Sequence, residues 1–218
     1  MKETVPIRIL HQDESVVVCI KPVGVDSESD MCTLLVAQTG IIVRCVHRLD
    51  RGVGGVMVYA LSPASAAALS KAITDGALKK EYLAVCEGVP DPSIGEMRDL
   101  LYHDTRRNKS YVVTRTRRGV REALLDYRTL ETQEGLSLVQ VSLHTGRSHQ
   151  IRVQFASRAL PLYGDGAYGA NVRTGGISLW SCRLTFPHPQ SGEMCSFTAP
   201  PPDAEPWARF KGGILDDA

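Results

Sequence analysis

Residues 56–87 read VMVYALSPASAAALSKAITDGALKKEYLAVCE, and the class of the fold turns on how this stretch is parsed. Val56–Ala60 is a compact run of β-type residues. Ser62 through Ala77 reads as a helix: Pro63 suits the first turn, alanine and leucine fill the middle, and Gly76 stands at the end. Glu81–Glu87 is again a strand, closed by Gly88 and Pro90. Upstream, Ile7–Leu10 and Val16–Ile20 read as two strands around the polar turn His11–Ser15, and Lys21-Pro22-Val23-Gly24-Val25 ends that pair. Downstream, Ser110–Arg118 and Glu122–Leu130 read as a basic hairpin around Gly119, and Leu136–Leu143 alternates as a strand does. His149–Ser157 has helical character. Ile177–Phe186 and Met194–Ala199 complete the β content, and a short amphipathic tail follows the prolines. Two helices among many strands do not make a regular βαβ array. The expected class is α+β, with a mixed, largely antiparallel sheet and helices packed on it.

Size and composition narrow the range of functions. The chain has 218 residues, of which 43% are hydrophobic, enough for a real core. No Pro/Gly/Ser linker separates independent domains, so one domain over 1–218 is expected, with Gly88–Ser110 as the place where one lobe would give way to another. No apolar run is long enough to span a bilayer, and MKETVPIRIL lacks a signal-peptide pattern. A cytoplasmic protein with no membrane partner is the expectation, and nothing demands more than a monomer. The six cysteines, at 19, 32, 45, 86, 182 and 195, form no CxxC pair. They read as reduced, buried small hydrophobes and not as a zinc or redox motif. Net charge is only +1, yet Thr105–Arg121 holds seven Lys or Arg residues and no acid. Alone, such a run is a solvated loop; beside a second pointer to RNA, it is a basic face for a polyanion.

Two clusters carry candidate chemistry. The first is Val46-His47-Arg48-Leu49-Asp50-Arg51, running into Gly52-Val53-Gly54-Gly55. Arg48 and Arg51 supply opposite charge beside the acid, and the glycines admit a close approach of backbone or ligand. Read alone, HRLD is more simply an Arg–Asp pair capping a turn. The second is Leu143-His144-Thr145-Gly146-Arg147-Ser148-His149-Gln150-Ile151-Arg152, where a strand turns into a helix with Ser148 as the expected cap. His144 and His149 are five apart and off one helical face, so a metal site is not supported. The chain also lacks a G-x-S-x-G nucleophile elbow. A third feature, Lys79-Lys80-Glu81-Tyr82, sets a tyrosine after basic residues at a strand entrance.

The order and wording of HRLD, KKEYLAVCEG, LHTGRSHQIR and PLYGDGAYG resemble the RluA-type family of RNA pseudouridine synthases, from about Ile7 through WSCRLTFPHP. The resemblance implies the pseudouridine synthase fold with a central RNA-binding cleft. It implies isomerisation of specific uridines in ribosomal or transfer RNA: uracil is detached, turned, and rejoined through carbon 5. Such chemistry needs no ATP, metal or redox cofactor, so none is expected. Asp50 matches the essential aspartate, acting on the ribose–uracil linkage as nucleophile or base. Tyr82 matches the aromatic that stacks on the target base, and Arg147 the arginine paired with the aspartate. Ile151 matches an apolar pocket residue, and Arg48 the arginine that fills the gap left by the flipped uridine. His47, Arg152 and Lys79, which flank these positions, are carried as further substrate-binding candidates.

Elementary energetics suit these roles. Flipping a nucleotide out costs roughly a few kcal/mol, and stacking on an aromatic returns on the order of 1–3 kcal/mol. An arginine forked onto a dehydrated carboxylate replaces lost hydration and aims it. The chain departs from the family at Val53-Gly54, where Thr-Ser is usual, and at Gln154, where His is usual. These changes bear on support around the site, since Asp50, Tyr82 and Arg147 all remain. With the resemblance starting inside the first ten residues, no appended RNA-binding domain is expected, and recognition falls to stretches such as Arg106–Arg121. The competing expectations are an RNA-binding or RNA-folding factor without activity, motivated by the altered loop, and a small-molecule hydrolase using Asp50 and His47.

Overall fold

The computed structural model describes residues 6–172 and 176–210. The end of the expected amphipathic tail, with Asp216 and Asp217, lies outside the described residues. In chain order the elements are β1 (Ile9–Gln12), β2 (Val16–Lys21), α1 (Asp30–Thr39), β3 (Arg44–Cys45), β4 (Gly54–Ala60), α2 (Pro63–Thr74), β5 (Lys79–Glu87), β6 (Ile94–Asp104), β7 (Lys109–Val113), β8 (Val120–Gln133), β9 (Leu136–Leu143), α3 (Gln150–Ala156), β10 (Leu179–Pro187) and β11 (Met194–Thr198). The class is α+β, as the order of strands and helices requires. No described helix is long and apolar enough to cross a membrane. The chain divides into two compact units, Met1–Lys80 with Ser181–Ala199, and Glu81–Trp180 with Pro200–Ala218. Gly88–Ser110 falls within the second unit, and it carries β6.

In the first unit β2 pairs antiparallel with β1 and with β4. β4 neighbours β10, on which β11 pairs antiparallel. The period-2 positions Val16 and Val18, Val56 and Val58, and Leu184 and Phe186 make one core face, and α2 covers it with Leu69 and Ala72. Helix α2 starts as its sequence dictates, with the Ser62 hydroxyl accepting from the Ser65 N–H and proline in the first turn. Helix α1 was not expected. Its N-cap, Ser29, makes no side-chain cap bond. The turn leading into it is held by Asp26, whose Oδ1 accepts from the N–H groups of Glu28 and Ser29 and from the Ser29 hydroxyl, and whose carbonyl accepts from the Met31 N–H at 3.0 Å. Gly40, at φ +73°, ends it.

At Gly55 (φ +123°) the strands β4 and β10 come close. A Cβ there would stand 2.6 Å from Ser181 N and 2.8 Å from its carbonyl carbon. The Ser181 hydroxyl in turn donates to Val56 O at 3.0 Å.

At the end of β2 lies Lys21, whose residue is 0% exposed. Its Nζ donates to Pro22 O at 2.9 Å, Val25 O at 2.7 Å and Arg51 O at 3.4 Å. Burial pushes the ammonium down to about 8, against the pull of Asp26, Asp50 and Asp30, with Arg51 adding to the fall. All six cysteines are free, and Cys19, Cys86 and Cys182 are buried. Burial raises the thiols of Cys19, Cys45 and Cys86 to about 12.

In the second unit the strand order is β5-β9-β8-β6-β7. The expected hairpin of Ser110–Arg118 with Glu122–Leu130 is not formed. β7 pairs with β6, β8 pairs with β6 and β9, and β6 therefore lies between β7 and β8. β6 escaped notice because its residues IGEMRDLLYHD are mostly polar, and only Met97 and Leu101 are fully buried. Its Leu101 and Ala123 of β8 pack against Val153 of α3. Gln154, on the same helix, donates to Met97 O at 3.0 Å and Asp99 Oδ2 at 2.7 Å.

Two outcomes test this packing. Gly55→Ala loses about 3 kcal/mol in urea unfolding, since the new methyl meets backbone that cannot yield and the φ is strained. For Lys21, the unfolded chain binds more protons than the folded one between pH 8 and 10.5, so stability rises with pH in that window. Unfolding free energies of wild type and Lys21→Met, measured from pH 7 to 10.5, diverge in favour of wild type by up to about 3 kcal/mol. A pH-independent difference rejects the buried ammonium.

Candidate active site

Asp50 sits in the loop between β3 and β4, and that loop is held through its backbone. The Ser27 hydroxyl donates to Leu49 O at 2.8 Å, and the Leu49 N–H donates back to Ser27 Oγ at 3.0 Å. Tyr59, inside β4, donates its hydroxyl to Ser27 O at 2.8 Å. One residue beyond the acid, Arg51 O accepts from the Gly24 N–H at 2.7 Å and from Lys21. The Val53 N–H donates to Asp50 O at 2.9 Å, closing the turn. Arg51 forms an ion pair with Asp30 at 3.1 Å, at the first turn of α1. Asp50 itself is half-buried and Arg48 is exposed. Lys21, Ser27 and Asp30 were not singled out from the sequence; only the turn residues Lys21–Val25 stood out there.

His47 belongs to the same loop, but its ring is committed to the sheet. Nε2 accepts from the Val58 N–H at 3.2 Å, and Nδ1 is buried with no hydrogen-bond partner among the described residues. Burial, then the charge of Lys80, pushes its pKa well below the ordinary imidazole range, so the ring is neutral with the proton on Nδ1. Lys79, at the start of β5, is exposed. Its neighbour Lys80 has its pKa lowered by burial.

The second unit carries the remaining candidates. Tyr82, on β5, is 5% exposed, and Ile151, on α3, is likewise buried. Arg152 follows Ile151 and is 6% exposed, and its guanidinium forks onto Asp165, itself 1% exposed. Nε donates to Oδ2 at 2.6 Å and a terminal nitrogen to Oδ1 at 2.9 Å. The Tyr168 ring lies 5.0 Å from the same guanidinium. Asp165 lies in the segment PLYGDGAYG, where nothing in the sequence marks it as the partner of Arg152.

Arg147 is placed differently. It is exposed on the turn between β9 and α3, with Nε donating to Glu122 O at 2.9 Å. Ser148 does not cap α3. The N-cap is His149, in the left-handed region at φ 55°. The Gln150 side chain ties down the turn before the helix, accepting from the Arg147 N–H at 3.1 Å and the Thr145 hydroxyl at 2.8 Å, and donating to Leu124 O at 3.1 Å. Among the described residues no group of three or more His, Cys, Asp or Glu is arranged to hold a metal ion.

Known proteins place this arrangement in context. A family model described as RNA pseudouridylate synthase matches residues 15–157. An uncharacterised RNA pseudouridine synthase of Mycobacterium bovis is 33% identical over 215 residues, covering 89% of this chain and 69% of that protein. Ribosomal large subunit pseudouridine synthase D of Neisseria meningitidis is 31% identical over 229 residues, covering 92% of this chain and 60% of its own length. In solved structures, human RNA pseudouridylate synthase domain containing 1 matches with a TM-score of 0.80 at 22% identity, over 94% of this chain and 88% of that one. Human domain containing 4 gives 0.75 at 24% identity, over 89% and 88%. At these identities the structural likeness speaks for the fold alone. The family model runs through both sequence clusters, and relatives above 30% identity span most of the chain; the chain belongs to the RNA pseudouridylate synthase family, whose enzymes are isomerases.

Proposed function

We propose that this chain isomerises specific uridines to pseudouridine in ribosomal or transfer RNA, in the cytoplasm and as a monomer, with one catalytic domain over its length. The observation that carries this reading is an acid, Asp50, retained in the HRLD segment of a chain matched by the family model. The target nucleotide is flipped out of its stack, and Arg48, exposed in the same loop, fills the gap. Asp50 acts on the glycosidic linkage as nucleophile or base. Its loop is fixed by Lys21 and Ser27 through the carbonyl of Arg51 and the carbonyl and amide of Leu49, on either side of the acid. Tyr82 supplies the stacking face, with a cost in position already met by its burial in β5.

The resemblance pairs the aspartate with Arg147, but the physical setting favours Arg152. A guanidinium that orders a dehydrated carboxylate needs a fixed orientation, and Arg152 has one from its two bonds to Asp165. Arg147 is exposed and held by one backbone carbonyl. We therefore assign the ordering role to Arg152, and RNA contact to Arg147. His47, locked to Val58, supports the loop instead of touching RNA. Ile151 lines the base pocket, and Lys79 adds positive charge for the phosphate backbone.

Pseudouridine mapping of total RNA tests the reading directly. A strain lacking the protein and a strain carrying Asp50→Asn lose the same one or few sites, and wild type restores them. With purified enzyme, Asp50→Asn lowers the rate by about a thousandfold or more, and Arg152→Lys lowers kcat far more than Arg147→Lys does. Unchanged RNA in both strains rejects the isomerase and leaves an RNA-binding factor.

A further inference from the structure

The second unit holds a pocket that none of these catalytic roles uses. Leu101, His103, Ser110, Arg121, Arg147 and Ser148 line it. Four of them share one face of the sheet. Leu101 and His103 are two apart on β6, Arg121 stands opposite Leu101, and Ser110 opposite His103. Helix α3 covers part of this same face through Val153, and the turn that precedes it brings Arg147 and Ser148 over the remainder.

The charge in this pocket has no internal counterpart. Arg51, Arg98, Arg152, Arg158 and Arg209 each pair with a carboxylate. Arg121 and Arg147 pair with none among the described residues. Their bonds run only to the backbone carbonyls of Val120 and Glu122, at 3.2 and 2.9 Å. The one acid next in sequence, Glu122, is taken by Arg98. The uncharged polar groups are also fixed: Ser110 donates to Ser148 O at 2.5 Å, and its Oγ lies 3.1 Å from His103 Nδ1. The two remaining lining residues, Gly119 and Gly146, put no side chain in the way of an incoming backbone. Around the pocket the chain is basic, with Arg106, Arg107, Arg115, Arg117 and Arg118 on the connections flanking β7. The Arg117 guanidinium is 4.5 Å from the Tyr102 ring centroid, which holds that cation against the sheet.

Two planar forks and an imidazole, with no carboxylate in the lining, suit a tetrahedral oxyanion better than a base edge or an ammonium. We infer that this pocket seats one backbone phosphate of the RNA beside the target uridine, with Arg121 and Arg147 both forked onto its oxygens. The inference rests on the isomerase reading for the identity of the polymer. The contact sets the register of the RNA and carries no base specificity. Because both arginines serve one phosphate, removing either releases the same counterion contact, and removing both releases little more.

The test is a salt titration of binding by the full chain, read by fluorescence anisotropy on a fluorescein-labelled RNA hairpin with a uridine-rich loop. Arg121→Gln and Arg147→Gln each weaken binding by about tenfold, and each flattens the plot of log affinity against log salt by about 0.7. The double variant flattens it by about the same amount as either single one. Arg147→Lys retains the slope, and Arg209→Gln, whose charge is paired with Glu205 and Glu134 away from the pocket, changes nothing. Unchanged slopes in the glutamine variants overturn the inference, and so do losses that add fully in the double variant. Displacement of the hairpin from wild type by low-millimolar inorganic phosphate, with unchanged slopes, assigns the pocket to a free anion and also overturns it. Pseudouridine formation is scored separately on the same samples. Slope changes without isomerisation sink the isomerase reading and spare the pocket, whereas isomerisation with unchanged slopes does the reverse.

Discussion

A buried ammonium cannot be left with empty donors, and in this protein that rule shapes the loop that bears the acid. Lys21 has no exposed surface, so its protons must find carbonyls. Those carbonyls come from Pro22 and Val25 on one side and Arg51 on the other. The first two fix the turn after β2, and the third draws in the residue beside Asp50. An unpaired charge at this depth costs several kcal/mol, so the turn and the loop are held as one piece. Ser27 repeats the device three residues before the start of α1, exchanging two hydrogen bonds with Leu49. The carboxylate is thus positioned by main-chain contacts on both flanks.

The same economy operates in the second unit. A glutamine and an arginine, two residues apart on α3, do the ordering there. Gln150 satisfies the turn before the helix, and Arg152 binds Asp165 within the fold. Gln154, at the next step along the helix, reaches β6 at Met97 and Asp99. A histidine at position 154 would offer one ring donor to a site where an amide nitrogen now serves two acceptors. The departure from the family at this position therefore has a local use, tying α3 to the strand on which it packs.

Much of this was legible in the sequence, and the reasons for the rest are physical. Elements with strong local signals emerged close to their true bounds: β2, β4, β5 and β9 by composition, and α2 by its first-turn proline, its alanine-rich middle and Gly76 at its end. Helix α1 was hidden because it has no side-chain cap bond, and the acid that orders its entry, Asp26, works in the turn before it. Strand β6 was hidden because a strand with few fully buried positions has no clear alternation. Missing it forced a false partner on β7 and β8. The candidate acid and Arg152 lay in motif segments, but the groups that hold the acid's loop and that arginine carried no such signal. Lys21 looked like turn punctuation, and Asp165 was one letter in a glycine-rich phrase. Their roles come from burial and long-range contact, which spacing along the chain does not encode. For the arginines the residue type was legible and the setting was not, since exposure separates Arg147 from Arg152 and five positions of sequence do not.

The altered loop Val53-Gly54-Gly55 follows from the same constraint. Val53 is 2% exposed, and a threonine hydroxyl there would need a partner inside the protein or lose on the order of 1–3 kcal/mol. In this chain the loop draws its restraint from Lys21, Ser27 and the Val53 N–H to Asp50 O bond, all of which end on backbone atoms. Side-chain hydroxyls at 53 and 54 have no counterpart in these bonds, and an apolar Val53 adds burial instead. Gly55 is not dispensable in the same way, because the approach of Ser181 fixes it sterically. The loop can change wherever its restraint is main-chain, and it cannot change where the neighbouring strand occupies the space a side chain would fill.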